Sequence, residues 1–201
     1  MTKYSSSRNF RKPIYLFIFL LMTNIVWAGN EIWLVPDLKW GSGWEYIPEM
    51  RIRDSGLYYL QNYLGINQQF DKSWEGNLYY ALKFQQNGSI WPSSHLGIVD
   101  LIYKNSWMKN RFRLEQDFTK NLLKYRDAMQ FKWANWSIGD EMFFNTNSGY
   151  VDEGRSTITY AYKFNKTAEG TAGFLLRRQK SSINADWTWT QVANLGIKLN
   201  I

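Results

Sequence analysis

The chain has 201 residues, no cysteine, a formal net charge of +7 and an aromatic content of 18%. That length fits one domain, and the lack of cysteine excludes a disulfide framework, thiolate metal sites and thiol nucleophiles. Lys3, Arg8, Arg11 and Lys12 supply four of the net charges, so the rest carries about +3, without the clustered basic footprint that nucleic-acid binding needs.

Those four bases precede an apolar run from Ile14 to Leu21 that continues past Thr23 and Asn24 to Trp27. Val26 and Ala28 then occupy the two positions a signal peptidase reads, so 1–28 reads as a cleaved secretory signal peptide. The run is short for a membrane anchor, which takes roughly 20 apolar residues. Residues 29–43, with Pro36, Gly41 and Gly43, read as an extended N-terminal segment with room for one extra strand. Residues 44–201 read as a single β-barrel domain.

From Trp44 the sequence alternates with a period of two, which is the signature of a strand with unlike faces. Trp44, Tyr46, Met50 and Ile52 oppose Glu45, Glu49, Arg51 and Arg53 up to a turn at Asp54-Ser55-Gly56. The segment 57–66 follows, with Tyr58, Leu60, Leu64 and Ile66 on one side, and 74–84 sets Trp74, Leu78, Tyr80, Leu82 and Phe84 against Glu75, Asn77, Tyr79 and Lys83. A loop over 85–94 contains Gly88 and Pro92. The segment 95–104 is apolar on both faces apart from Asp100, so alternation does not orient it. After a turn at Asn105-Ser106, Phe112, Leu114 and Phe118 oppose Arg111, Arg113, Glu115 and Asp117. Past Lys120-Asn121, Tyr125, Met129, Phe131 and Trp133 oppose Lys124, Arg126, Gln130 and Lys132. A further strand follows the Ala134-Asn135 turn, and 146–154 reads as a polar loop. Strands over 155–164 and 170–178 and a last one from Trp187 to Ile201 complete the chain.

These make about ten strands, mostly longer than the 5–6 residues common in soluble domains and close to the 9–11 of transmembrane strands. The meander contains no helical segment. The expected fold is therefore an all-β, antiparallel up-and-down barrel of the outer-membrane type, with aromatics toward lipid and charges toward the lumen. Trp44, Trp74, Phe84, Trp107, Phe118, Trp133, Trp136, Phe164 and Trp187 lie near strand ends, where interfacial girdles form. Long polar loops after the third, seventh and ninth expected strands would gather at one end.

At 111–118 (RFRLEQDF) and 139–145 (GDEMFFN), followed by Arg155 and 160–164, the chain resembles DUF2490, a bacterial family of signal-bearing proteins. The matching positions are Arg111, Arg113 and Glu115, then Asp140, Glu141, Phe143, Phe144 and Asn145, with Arg155 opening the next strand. The chain departs at Asp117, where the family pattern has a base, and at Ile201, where barrels often end in an aromatic. The resemblance implies an outer-membrane barrel and brings no biochemical activity with it.

Two kinds of chemistry compete for the polar residues. His95 follows Ser93 and Ser94, and a Ser/His arrangement would suit an acyl-modifying enzyme, but neighbouring strand residues point apart. The favoured reading is a lumen ion-pair network in which Arg111, Arg113 and Arg155 meet Glu115 and Glu141 across neighbouring strands, since buried charges must be paired. Asp140 and Glu141 point to opposite faces and make a poor metal pair, so no metal or cofactor is expected. The expected partners are outer-membrane lipid and the barrel-assembly machinery, with no nucleic acid; the oligomeric state is left open. A structural or narrow-pore barrel is the leading function. An outer-membrane acyl-modifying enzyme and a soluble periplasmic ligand-binding barrel are the alternatives.

Overall fold

The computed structural model describes residues 31–41 and 43–201, so the expected signal peptide lies outside the described residues. Alternating polarity is sustained over long segments separated by tight turns, and the chain answers with eleven strands and no helix among the described residues. They are β1 (Glu31–Trp40), β2 (Trp44–Arg53), β3 (Gly56–Gln69), β4 (Trp74–Gln85), β5 (Ser93–Lys104) and β6 (Met108–Asp117). β7 (Leu122–Trp133), β8 (Trp136–Asn145), β9 (Tyr150–Lys163), β10 (Ala168–Gln179) and β11 (Thr188–Asn200) complete the set.

Each strand pairs antiparallel with its neighbour in sequence, and β1 closes on β11 to form a barrel. The expected barrel of about ten strands is thus present, with two differences. Residues 31–40 form a complete wall strand, and the closing pair β1–β11 is parallel, from Glu31 opposite Val192 to Lys39 opposite Asn200. The second follows from the first: in a meander with an odd number of strands, the first and last run in the same direction. The expected loop over 146–154 is also shorter, because β9 begins at Tyr150.

The strand ends sort into a short-turn rim and a long-loop rim. Connections 41–43, 70–73, 105–107, 134–135 and 164–167 form the first, where the chain also ends. Connections 54–55, 86–92, 118–121, 146–149 and 180–187 form the second, where β1 begins. The two longest connections, 86–92 and 180–187, lie at one end as expected, but 118–121 and 146–149 there are no longer than 70–73 and 164–167 at the other, and 54–55 is shorter still. Tight reversal at 134–135 holds Ala134 in the left-handed region, at φ 51°.

Polarity across the wall runs opposite to that of a soluble protein. Leu78, Val99 and Ile138 face outward at 56, 53 and 61% exposure, whereas Asp100, Arg113 and Glu115 face inward at 2, 7 and 7%. The ambiguity of β5 resolves in the same sense: Leu96, Ile98, Asp100 and Ile102 are buried inside, and Val99 and Leu101 are exposed outside. Trp44, Trp107, Phe131, Trp133, Trp136 and Phe164 ring the short-turn rim, with Trp107 stacked on Phe131 at 5.8 Å. Phe118 and Trp189 stand exposed toward the other rim. Phe118, Phe70 and Phe164 each lie over a strand glycine: a Cβ would meet the ring at 2.9 Å on Gly97, 2.8 Å on Gly76 and 2.9 Å on Gly170. These rings cover backbone that would otherwise be bare.

The outer face is not uniformly apolar. Arg178 crosses Gly154 to reach Asp140 at 3.1 Å, and the Ser156 hydroxyl donates to the same carboxylate at 2.6 Å. Asp140 therefore sits outside the barrel with Met142 and Phe144, as its position in the alternation requires.

Candidate functional site in the barrel lumen

The interior divides into two sectors. Along β2–β5, Tyr63, Tyr79, Ala81, Leu96 and Ile98 pack together with Ile47 against them. Tyr63 and Tyr79 meet edge to face with centroids 6.2 Å apart, and their hydroxyls donate to Glu49 and Glu45. The rest of the lumen is charged, from β5 round to β10 and on to Glu31 on β1 and Glu49 and Arg51 on β2. Trp33 on β1 bridges the two, buried against Leu175 and Val192 while three guanidiniums face its ring.

Register explains how the charged sector pairs. Arg113 on β6 lies directly opposite Asp100 on β5 and donates Nε and a terminal nitrogen to its two oxygens at 2.6 and 2.7 Å. Glu115 is opposite Lys124 but takes its ion pair from Arg126, one step further along β7. Arg111 is opposite Ala128, whose short side chain lets it reach across β7 to Glu141 on β8 at 2.5 Å. Glu141 in turn is opposite Arg155 on β9, 3.5 Å away. Arg155 also holds Glu153 at 2.6 Å, and Arg177 on β10 reaches Glu153 at 3.1 Å and Glu31 at 3.8 Å.

All five expected network residues, Arg111, Arg113, Glu115, Glu141 and Arg155, therefore face the lumen. The pairing Arg111–Glu141–Arg155 forms, but Arg113 and Glu115 each take a different partner, Asp100 and Arg126. Alternation tells which face a residue occupies, whereas register decides which opposite charge it meets.

Aromatic rings inside the lattice were not expected there. Arg51 lies 3.9 Å from the Trp33 ring centroid and 4.0 Å from that of Tyr59. Arg126 and Arg155 lie 4.4 and 4.3 Å from the Phe143 centroid. A desolvated guanidinium gains from both a carboxylate and a ring face, so each arginine is held from two sides. Glu31 and Trp33 escaped sequence reasoning because they fall in the extended N-terminal segment, and Glu153 because it falls in the presumed loop. Tyr58 also turns inward, beneath Arg53 at 3.5 Å from its ring, because a bulge between Arg51 and Ile52 reverses the local alternation.

Among the described residues, cavities border this lattice. One of about 210 Å³ lies beside the Arg111–Glu141 pair, lined also by Lys109, Gln130 and Thr157. The larger, about 360 Å³, opens at the long-loop rim above Arg126, Phe143 and Glu153.

His95 lies outside both. It sits on the outer wall of β5, its ring nitrogen hydrogen-bonded to the Tyr80 hydroxyl, while Ser94 turns into the lumen at 4% exposure. Ser94 and His95 thus stand on opposite sides of the wall, and no nucleophile–base pair forms between them. Among the described residues, no group of three or more His, Asp or Glu is arranged to hold a metal ion. No protein-family model and no curated protein matches the chain.

Proposed function

We propose that this chain is an outer-membrane β-barrel, exported by a cleaved signal peptide and inserted by the barrel-assembly machinery, acting as a structural element or narrow conduit. The observation that carries the proposal is the inverted polarity of the wall. Leu64, Leu78, Val99, Leu101, Leu114, Met129 and Ile138 project outward, while ion-paired arginines and carboxylates lie inside. Exposing so extensive an apolar surface to water, interrupted by Asp127 and the Arg178–Asp140 pair, opposes the hydrophobic effect, whereas hydrocarbon accepts apolar side chains and a closed barrel leaves no unpaired strand edge there. Tryptophans at the short-turn rim suit a membrane interface. The Arg178–Asp140 pair is a charged exception on this face: Arg178 stands one residue from the long-loop end of β10, and it neutralises Asp140, which lies in the middle of β8. The resemblance to DUF2490 points the same way.

The filled interior argues against a general porin. Side chains of a barrel this size can occupy most of its lumen, and here Tyr63, Tyr79, Leu96, Trp33 and the arginine lattice do so. The test is fractionation and gel migration of the full chain. It should remain with the outer-membrane fraction and migrate differently before and after boiling; release by osmotic shock would reject the reading.

A further inference from the structure

The larger cavity carries an inference beyond the architectural reading, and it holds whatever surrounds the barrel. Eight of the side chains lining it are basic and three are acidic. The three acids are already engaged. Glu153 is held by Arg155 and Arg177, and Glu115 by Arg126. One oxygen of Asp117 accepts the backbone N–H groups of Thr119 and Lys120, both at 3.0 Å. Glu49, Glu31, Asp152 and Glu141, outside the cavity lining, pair Arg51, Arg53, Lys124 and Arg155, so the unmatched charge is that of Lys83 and Lys120.

The excess concentrates on one side. Lys83 from β4, Lys120 from the 118–121 turn and Lys124 from β7 converge on the cavity from three segments of chain. Lys124 has Asp152 at 3.0 Å, but Lys83 has only a loose contact with Asp117 at 3.8 Å. Lys120 has no acid within ion-pair distance among the described residues. Ammonium groups gathered with fewer close carboxylates than charges repel one another, and an anion between them removes that repulsion. A volume of about 360 Å³ is within the range of small-molecule sites, and it opens to solvent at the rim.

We infer that this vestibule binds a phosphate-bearing anion, held by Lys83, Lys120 and Lys124 above the Arg126 guanidinium. Lysine supplies point charges with rotatable donors and arginine a fixed fork, a combination that suits phosphate oxygens.

The experiment is calorimetric titration of inorganic pyrophosphate into the folded full chain at low ionic strength, with short-chain phosphatidylglycerol as a second titrant. Binding of either at one equivalent, weakening as salt is added, supports the site, and the tighter of the two identifies a free phosphate or a lipid headgroup as its source. The variant K83Q/K120Q, which disturbs none of the close ion pairs, should bind about tenfold more weakly. The control K72Q/K166Q removes the same charge at the short-turn rim and should bind as the parent does. Failure of both titrants to bind the folded protein, or equal affinity in K83Q/K120Q, overturns the inference.

Discussion

Glu141 is the residue on which the lattice reading can be tested most sharply. It accepts from Arg111 at 2.5 Å and contacts Arg155 at 3.5 Å, with 13% of its side chain exposed. Glu141→Gln keeps the shape and removes the charge. Stripping a buried ion pair of one partner costs about 3–5 kcal/mol. Two features of the site lower that figure. Arg155 keeps Glu153 at 2.6 Å, so only Arg111 loses its sole ion pair among the described residues. The adjoining cavity of about 210 Å³ also gives water access to Arg111, whose side chain is 28% exposed. The expected cost is therefore about 2 kcal/mol. Urea unfolding of the full chain in lipid vesicles, followed by tryptophan fluorescence, measures it as a shift in midpoint at constant slope. Arg111→Gln should cost a similar amount, and the double variant should fall short of additivity by about 1–2 kcal/mol. Strict additivity, or a change under about 0.5 kcal/mol in E141Q, would refute the claim that this pair holds β6 to β8 across β7.

Phe118 over Gly97 gives a second test. Gly97→Ala should destabilise the parent by about 1 kcal/mol because the new Cβ displaces the ring, and should stabilise slightly in the Phe118→Ala background, where only strand entropy remains. Absence of that sign reversal in unfolding midpoints would mean the ring does not pack there. The lack of native cysteine allows a third test, since Ser148→Cys in the long-loop rim and Lys166→Cys in the short-turn rim each create a single thiol. A membrane-impermeant maleimide should label the first on intact cells and the second only after permeabilisation, and equal labelling would refute the membrane orientation.

Much of the wall was legible because period-two alternation is a local property. The runs at β6 and β7 assign Arg111, Arg113, Glu115, Lys124 and Arg126 to one face without reference to any other strand. Asp140 and Glu141 are split between outside and inside by the same rule. What alternation leaves undetermined is lateral. The Arg113–Asp100 pair depends on β6 lying against β5 in one register, and the Arg111–Glu141 pair depends on Ala128 standing between them. Both are facts about neighbouring strands. Bulges limit the rule further, as at Tyr58, because one extra residue reverses every later side chain until the pairing recovers.

The strand hardest to read, β1, is also the one that fixes the closure, and the reason lies in its proline. Pro36 lacks the N–H that a strand between two neighbours is expected to supply, and it argues locally against a wall strand. In the barrel the pairs Leu34 with Met50 and Leu38 with Tyr46 place Pro36 opposite Pro48 on β2. Two residues that each lack a donor face one another, so the β1–β2 ladder is interrupted once, over 35–37, and resumes on both sides. Either proline opposite an ordinary residue would leave that residue's carbonyl without its donor; together they confine the loss to one place. On its other edge β1 keeps an unbroken register with β11 from Glu31 to Lys39. Joining β1 to the wall raises the count to eleven, makes the seam parallel, and brings Glu31 and Trp33 into the lumen beside Arg177 and Arg155. The same strand that sequence rules discount thus supplies both the closure and the ring on which the arginine lattice rests.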